Sequence, residues 1–198
     1  IECCELVYAL LDNQQPAIAL DFLDNVRQKH AHQPGFSILR ADAYSEDEQY
    51  LPALQSLEPL LKRAEEGNTD FLQSSFAPNQ KHGYLPFDLS NLELRAALLY
   101  RAMGNYSDAV KHAQFSLRSD PSNENARLIA AELALSTANQ DELNDLLESL
   151  NNKVQHSSTD LEMIRLLTLD ALLSDNMTKA GLLFENFLYK DEQNLISM

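Results

Sequence analysis

The sequence is poor in the residues that several classes of protein require. It has no tryptophan, and its 2 cysteines are adjacent at Cys3 and Cys4, so it does not form a disulfide framework. It contains only 5 glycines and 7 prolines, and the β-branched runs typical of buried strands are missing. Leucine and alanine are abundant instead. We therefore predict an all-α protein.

Basic side chains are also scarce. The 15 Lys and Arg stand against 30 Asp and Glu, which gives a net charge of −15. Such a surface disfavours nucleic acids and anionic membranes and suits a partner with basic residues, although it also serves solubility alone. No apolar run approaches the ~20 residues that a membrane-spanning helix requires. The cysteine content favours a reducing compartment. We expect a cytoplasmic protein, and a start at Ile1 suggests a fragment.

Motifs for catalysis and cofactor binding are missing as well. The sequence has no glycine-rich phosphate loop, no GxSxG or HExxH motif and no paired CxxC. His30 and His32 would need a third ligand from elsewhere to hold a metal, and we interpret them as part of a solvated helix end. We therefore predict neither an enzyme nor a cofactor or metal site.

The clearest pattern present lies in residues 90–123. Leu94 and Leu98 belong to an apolar stripe at helical spacing. Gly104 comes just after the predicted end of this helix, at a position where the left-handed backbone of a helix cap favours glycine. A second amphipathic helix ends before Pro121, which cannot extend it. Small or aromatic residues at fixed offsets complete the pattern: Ala97, Tyr100, Gly104, Tyr106, Ala109, Ser116 and Pro121. This unit resembles the tetratricopeptide repeat (TPR), a helix–turn–helix of 34 residues.

Weaker copies of the unit cover most of the remaining chain. The predicted repeats are 1–33, 34–67, 90–123, 124–157 and 161–194. In the second repeat, Pro59 is expected to kink or shorten the second helix. The resemblance implies one domain over 1–198, an α-solenoid of antiparallel helix pairs wound into a TPR-like right-handed superhelix. A related helical-pair solenoid or a plain α-bundle is the alternative.

An insertion at 68–89 interrupts the repeats. It is rich in aromatic residues, namely Phe71, Phe76, Tyr84 and Phe87. Apolar anchors of this kind predict that the segment packs on something. Two interpretations are open: the insertion covers an end of the second repeat's helices, or it lines the groove or docks a partner.

The TPR resemblance also implies a function. It predicts a protein–protein interaction scaffold that binds a partner segment on its concave face, within a multiprotein assembly. The alternative is a non-catalytic helical domain of a larger enzyme or of a secretion or biosynthesis machine. The concave face would be lined by the first helix of each pair, and the candidate groove residues are Asp42, Leu94, Arg95, Leu98, Arg101, Leu128, Glu132, Arg165 and Leu169.

The residues at the groove positions narrow the expected partner. In many TPR proteins a clamp of Lys, Asn and Arg holds the carboxylates of a chaperone's C-terminal tail, but here Glu5, Ile38 or Leu94 fills the first lysine position. A chaperone tail is therefore not expected. We expect a protein or peptide segment with some basic residues. In the first repeat, the groove positions are Glu5, Ala9 and Asp12.

Overall fold

The protein is described by a computed structural model that covers residues 2–73, 87–139, 141–145, 158–183 and 185. Eight long helices have defined bounds: α1 (Glu2–Asp12), α2 (Pro16–His30), α3 (Pro34–Glu46), α4 (Tyr50–Glu65), α5 (Leu89–Ala102), α6 (Tyr106–Ser119), α7 (Glu124–Ser136) and α8 (Ser158–Leu173). A short 3-10 helix spans Asp70–Gln73, and residues 141–145 and 177–183 are also helical. The described residues contain no strand, which confirms the all-α prediction for them.

One type of turn recurs between helices at regular intervals. Each such turn contains one residue with a left-handed backbone, with φ between 54° and 75°: Gln14, Glu48, Gly104, Ala138 and Asp175. These residues are 34, 56, 34 and 37 positions apart. The 56 corresponds to a 34-residue period plus the 22 residues of the insertion, and the 37 contains the three residues between the last two predicted repeats. A repeated helical architecture is therefore present.

Each of these turns is closed by the same two main-chain hydrogen bonds. In the turn after α5, the N–H of Gly104 donates to the carbonyl of Arg101 at 3.0 Å, and the N–H of Asn105 donates to that of Tyr100 at 2.9 Å. Equivalent bonds occur in the other four turns. The pattern is a Schellman cap, which satisfies carbonyls that the helix end leaves without donors. The Asn105 side chain then caps α6 by accepting from the N–H of Asp108.

The chain divides into two compact units, Ile1–Asp120 and Pro121–Met198, which we call unit 1 and unit 2. In unit 1, each helix packs on the next one along the chain, and α1 also packs on α3. Helices α5 and α6 run in opposite directions. Ser90, near the start of α5, bonds to Ser116, near the end of α6, while Glu93, further along α5, bonds to His112, which lies earlier in α6. In unit 2, α7 packs on α8.

Helix α3 belongs to two apolar clusters in the described part of unit 1. On one side, Leu39 packs in a cluster with Val7 of α1 and Leu23 of α2. On the other, Ile38 packs in a cluster with residues of α4 and α5, such as Leu57. Removal of this apolar surface from water is the main force that holds the helices together. α3 is therefore the central element of unit 1.

Pro59 does not shorten α4, which was one of the two effects expected from the sequence. The helix continues past it to Glu65, because Leu57, Leu60 and Leu61 are all buried in the same cluster. Their burial offsets the loss of one main-chain hydrogen bond. No helix in the described part of the chain combines the length and the apolar content needed to cross a membrane.

The left-handed turns generate a paired prediction. A Cβ added at Gly104 would have no atom within 4 Å, so Gly104→Ala introduces backbone strain without a steric clash and should destabilise the protein by about 1 kcal/mol. The reverse change at the equivalent turn, Ala138→Gly, should stabilise by about 0.5 kcal/mol, because glycine relieves the strain but adds unfolded-state entropy. Urea unfolding of both variants measures these changes in the free energy of unfolding. If both variants were stabilised, or both destabilised, the claim that the two turns share one backbone conformation would be contradicted.

Candidate functional site

The first helices of the three pairs in unit 1 share one face. Tyr8 of α1, Asp42 of α3 and Arg95 of α5 meet there through their side chains. We call the side of α1, α3 and α5 that carries these three residues the first-helix face. It corresponds to the surface on which the sequence predicts partner binding.

Asp42 accepts hydrogen bonds from both of the other residues. The Tyr8 hydroxyl donates to its Oδ2 at 3.0 Å, and Arg95 donates to both carboxylate oxygens, from Nε to Oδ1 at 2.9 Å and from Nη2 to Oδ2 at 3.2 Å. The two-point geometry matches the planar guanidinium to the planar carboxylate, which gives a stronger and more directional contact than a single bond. The Arg95 and Asp42 side chains are only 6% and 11% exposed. The network therefore joins three helices in a largely dry environment.

Burial and charge set the protonation of the two donors. Burial raises the pKa of Tyr8 well above its ordinary value, and the negative charge of Asp42 raises it further. For Arg95, burial acts to lower the pKa, but the charge of Asp42 and the hydrogen bonds to it outweigh burial and raise the pKa overall. Both side chains therefore keep their protons at neutral pH, so neither acts as a general base there.

The candidate groove residues of unit 1 fall into two groups. Leu94 and Arg95 are buried, at 1% and 6% exposure, and the charge of Asp42 is paired with Arg95. Leu98 and Arg101 are half-buried further along α5. The structure thus brings Asp42 and Arg95 into one contact that holds helices together, and leaves Leu98 and Arg101 partly accessible.

The candidates of unit 2 lie on α7 and α8. Leu128 and Glu132 are half-buried on α7. On α8, Leu169 is 42% exposed, and Arg165 is exposed and donates to the Glu162 carboxylate one turn before it. Their partner-binding role stays a prediction.

The described ends of the insertion pack on unit 1. Phe71 is 4% exposed in the cluster formed by α3, α4 and α5, and Phe87 packs against that cluster with its ring 6.3 Å from the ring of Phe71. The guanidinium of Arg63 lies 4.6 Å from the centre of the Phe71 ring. Phe71 is therefore an internal anchor rather than an accessible docking residue. Phe76 and Tyr84 lie outside the described residues.

Sequence reasoning missed Tyr8. In four predicted repeats the left-handed turn residue is the fifteenth, but Gln14 is the fourteenth residue of 1–33. The groove positions assigned to the first repeat, Glu5, Ala9 and Asp12, are therefore wrong by one residue, and the equivalent positions are Cys4, Tyr8 and Leu11. The signal was available, since Tyr8 and Asp42 are separated by one 34-residue period.

Metal binding has no support in the described residues, where no group of three His, Cys, Asp or Glu side chains is placed to hold an ion. His30, one of the two histidines considered from the sequence, instead lies 3.2 Å from the Gln33 side chain through its Nδ1. No protein-family model matches the sequence, and no curated protein matches it significantly.

The Tyr8 hydroxyl provides a pH-dependent test of the network. Its pKa is raised on folding, so the folded state keeps this proton above pH ~10, where the unfolded state loses it. Stability should therefore be constant with respect to this group below pH ~10 and fall as the pH rises further. Tyr8→Phe should cost about 1–2 kcal/mol at neutral pH and make the alkaline decline shallower.

Urea unfolding of the wild type and the variant between neutral and alkaline pH measures both effects. Tyr106→Phe is the matched control, because Tyr106 is 46% exposed on α6. If Tyr8→Phe and Tyr106→Phe follow the wild-type pH profile equally, folding does not raise the pKa of Tyr8.

Proposed function

We propose that this chain is a TPR-like α-solenoid that acts as an interaction scaffold and binds a segment of another protein on the first-helix face. We propose further that it works in the cytoplasm and has no catalytic activity of its own. In a solenoid, each helix pair buries its apolar surface against its neighbours, and the first helices form a continuous binding surface.

One observation carries this proposal. The first helices α1, α3 and α5 are joined directly to one another by the Tyr8–Asp42–Arg95 network, although a second helix separates each from the next in sequence. In a plain up-and-down bundle the first helices of successive pairs need not contact one another, whereas in stacked helix pairs they must. The recurrence of one turn geometry at 34-residue spacing supports the same arrangement.

The residues proposed to contact the partner are those that the network leaves accessible. On α5, Leu98 follows Arg95 by three positions and so extends the same side of the helix, and Arg101 follows Leu98 by three more. Leu98 offers apolar surface to a partner, and Arg101 is half-buried beside it. In unit 2, we assign the same role to Leu128, Glu132, Arg165 and Leu169.

The charge of unit 1 supports a partner with basic residues. Residues 1–120 contain 10 Lys and Arg against 17 Asp and Glu. A negative surface raises the association rate of a positively charged segment and repels nucleic acid. An amphipathic helix or extended segment that combines apolar and basic residues fits both Leu98 and this charge.

A pair of matched leucine substitutions tests the proposal. Leu98→Gln removes apolar surface from the first-helix face, while Leu51→Gln makes the same change at a residue that is 58% exposed on the second helix α4. Partners captured from an extract of the source organism would be quantified by mass spectrometry for both variants and the wild type. We expect Leu98→Gln to reduce capture about tenfold, the scale for loss of a central interface residue, and Leu51→Gln to leave it unchanged.

Thermal unfolding of both variants shows whether the fold is kept. Loss of the same partner in folded Leu51→Gln, or equal capture by all three proteins, would contradict binding through the first-helix face.

A further inference from the structure

A separate cleft in unit 1 is formed by α2, α3 and α4. It has a volume of about 290 Å³, and its polar lining residues are Arg27, Ser37, Arg40, Tyr44, Gln55 and Ser56. Arg40 and Asp42 are two positions apart in α3, which places them about 200° apart around the helix. The cleft therefore lies on the opposite side of α3 from the first-helix face.

Two arginines line this cleft in a chain that has twice as many acidic as basic residues. Arg40 is held in place by Tyr44, since its Nη2 donates to the Tyr44 hydroxyl at 2.9 Å and its guanidinium lies 5.3 Å from the centre of the Tyr44 ring. A guanidinium fixed in this way is prepared for a planar two-oxygen ligand at low entropic cost.

One N–H donor of the Arg40 guanidinium has no acceptor among the described residues. Within the described residues, its Nε is buried and has no hydrogen-bond partner. Asp24 comes within 3.7 Å of Nη2, but the Asp24 side chain is 59% exposed. A pair at that separation with one exposed partner contributes little, so an incoming carboxylate can replace Asp24.

The α4 wall of the cleft includes Gln55 and Pro59. Pro59 lies inside α4 and has no N–H, so the main-chain carbonyl of Gln55, four residues earlier, lacks its usual helical donor. A ligand that carries both a carboxylate and an amide N–H can satisfy the arginines and this carbonyl together. An inorganic anion satisfies only the arginines.

We propose that this cleft is a binding site for an acidic residue of a peptide, with Arg27 and Arg40 pairing with its carboxylate and the Gln55 carbonyl accepting from its main chain. Its volume suits one such side chain with its peptide group. The overall negative charge of the protein repels anions at long range, so binding here depends on the local arginine pair. The site is independent of the proposed function, because it uses neither the network nor Leu98.

A blocked Gly-Glu-Gly peptide is the probe, with Gly-Gln-Gly as its neutral counterpart and inorganic phosphate as a second arm. NMR titration would follow the Nε–H signal of Arg40 in the whole chain. We expect a saturable shift with the Glu peptide that is absent with the Gln peptide and weaker with phosphate. Phosphate binding as tight as the Glu peptide would overturn the peptide assignment.

A matched pair of charge removals on α2 locates the binding. Arg27→Gln should weaken binding of the Glu peptide about tenfold, which is the scale of one charge-assisted hydrogen bond. Lys29→Gln removes the same charge two positions away, outside the cleft, and should change the affinity less than twofold. Both residues are exposed, so neither change should disturb folding. Equal losses in the two variants, or no saturable shift in the wild type, would overturn the proposal.

Discussion

The relative positions of the first helices α1, α3 and α5 depend on a buried ion pair, between Asp42 of α3 and Arg95 of α5. Burial of two charges is costly, and the cost is offset only where the geometry is good and the remaining hydrogen-bonding groups are satisfied. Both conditions hold, because Arg95 donates to both carboxylate oxygens and Tyr8 donates to one of them. Apolar packing alone would tolerate some sliding between helices, whereas this contact fixes their relative positions.

The repeat pattern was predictable from the sequence because it depends on local chemistry. Gly104 marks a turn that only a residue with a left-handed backbone can close. The same turn recurs at four residues that adopt this backbone in spite of its steric strain: Gln14, Glu48, Ala138 and Asp175. The packing of Phe71 was foreseen as one of two options, since sequence shows that a residue is apolar but not what covers it.

The burial of Arg95 and the role of Tyr8 were not predicted. An arginine on an amphipathic helix usually lies at the surface, and only the position of Asp42, 53 residues away in sequence, makes burial tolerable. The first repeat begins one residue earlier than the sequence pattern indicates, so its groove position is Tyr8 and not Ala9. Helix α3 separates two regions of different chemistry: a face on which Asp42 and Arg95 are paired with each other, and a cleft in which the Nε of Arg40 has no hydrogen-bond partner among the described residues.

The most direct test of this account is a double-mutant cycle between Asp42 and Arg95. Asp42→Ala and Arg95→Ala should each destabilise the protein by about 3–5 kcal/mol, because each leaves a buried charge without its partner. The double variant should be less destabilised than the sum of the two by about 2–3 kcal/mol. Additive effects, equal within about 0.5 kcal/mol, would show that the two residues do not depend on each other and would contradict the central role of the pair.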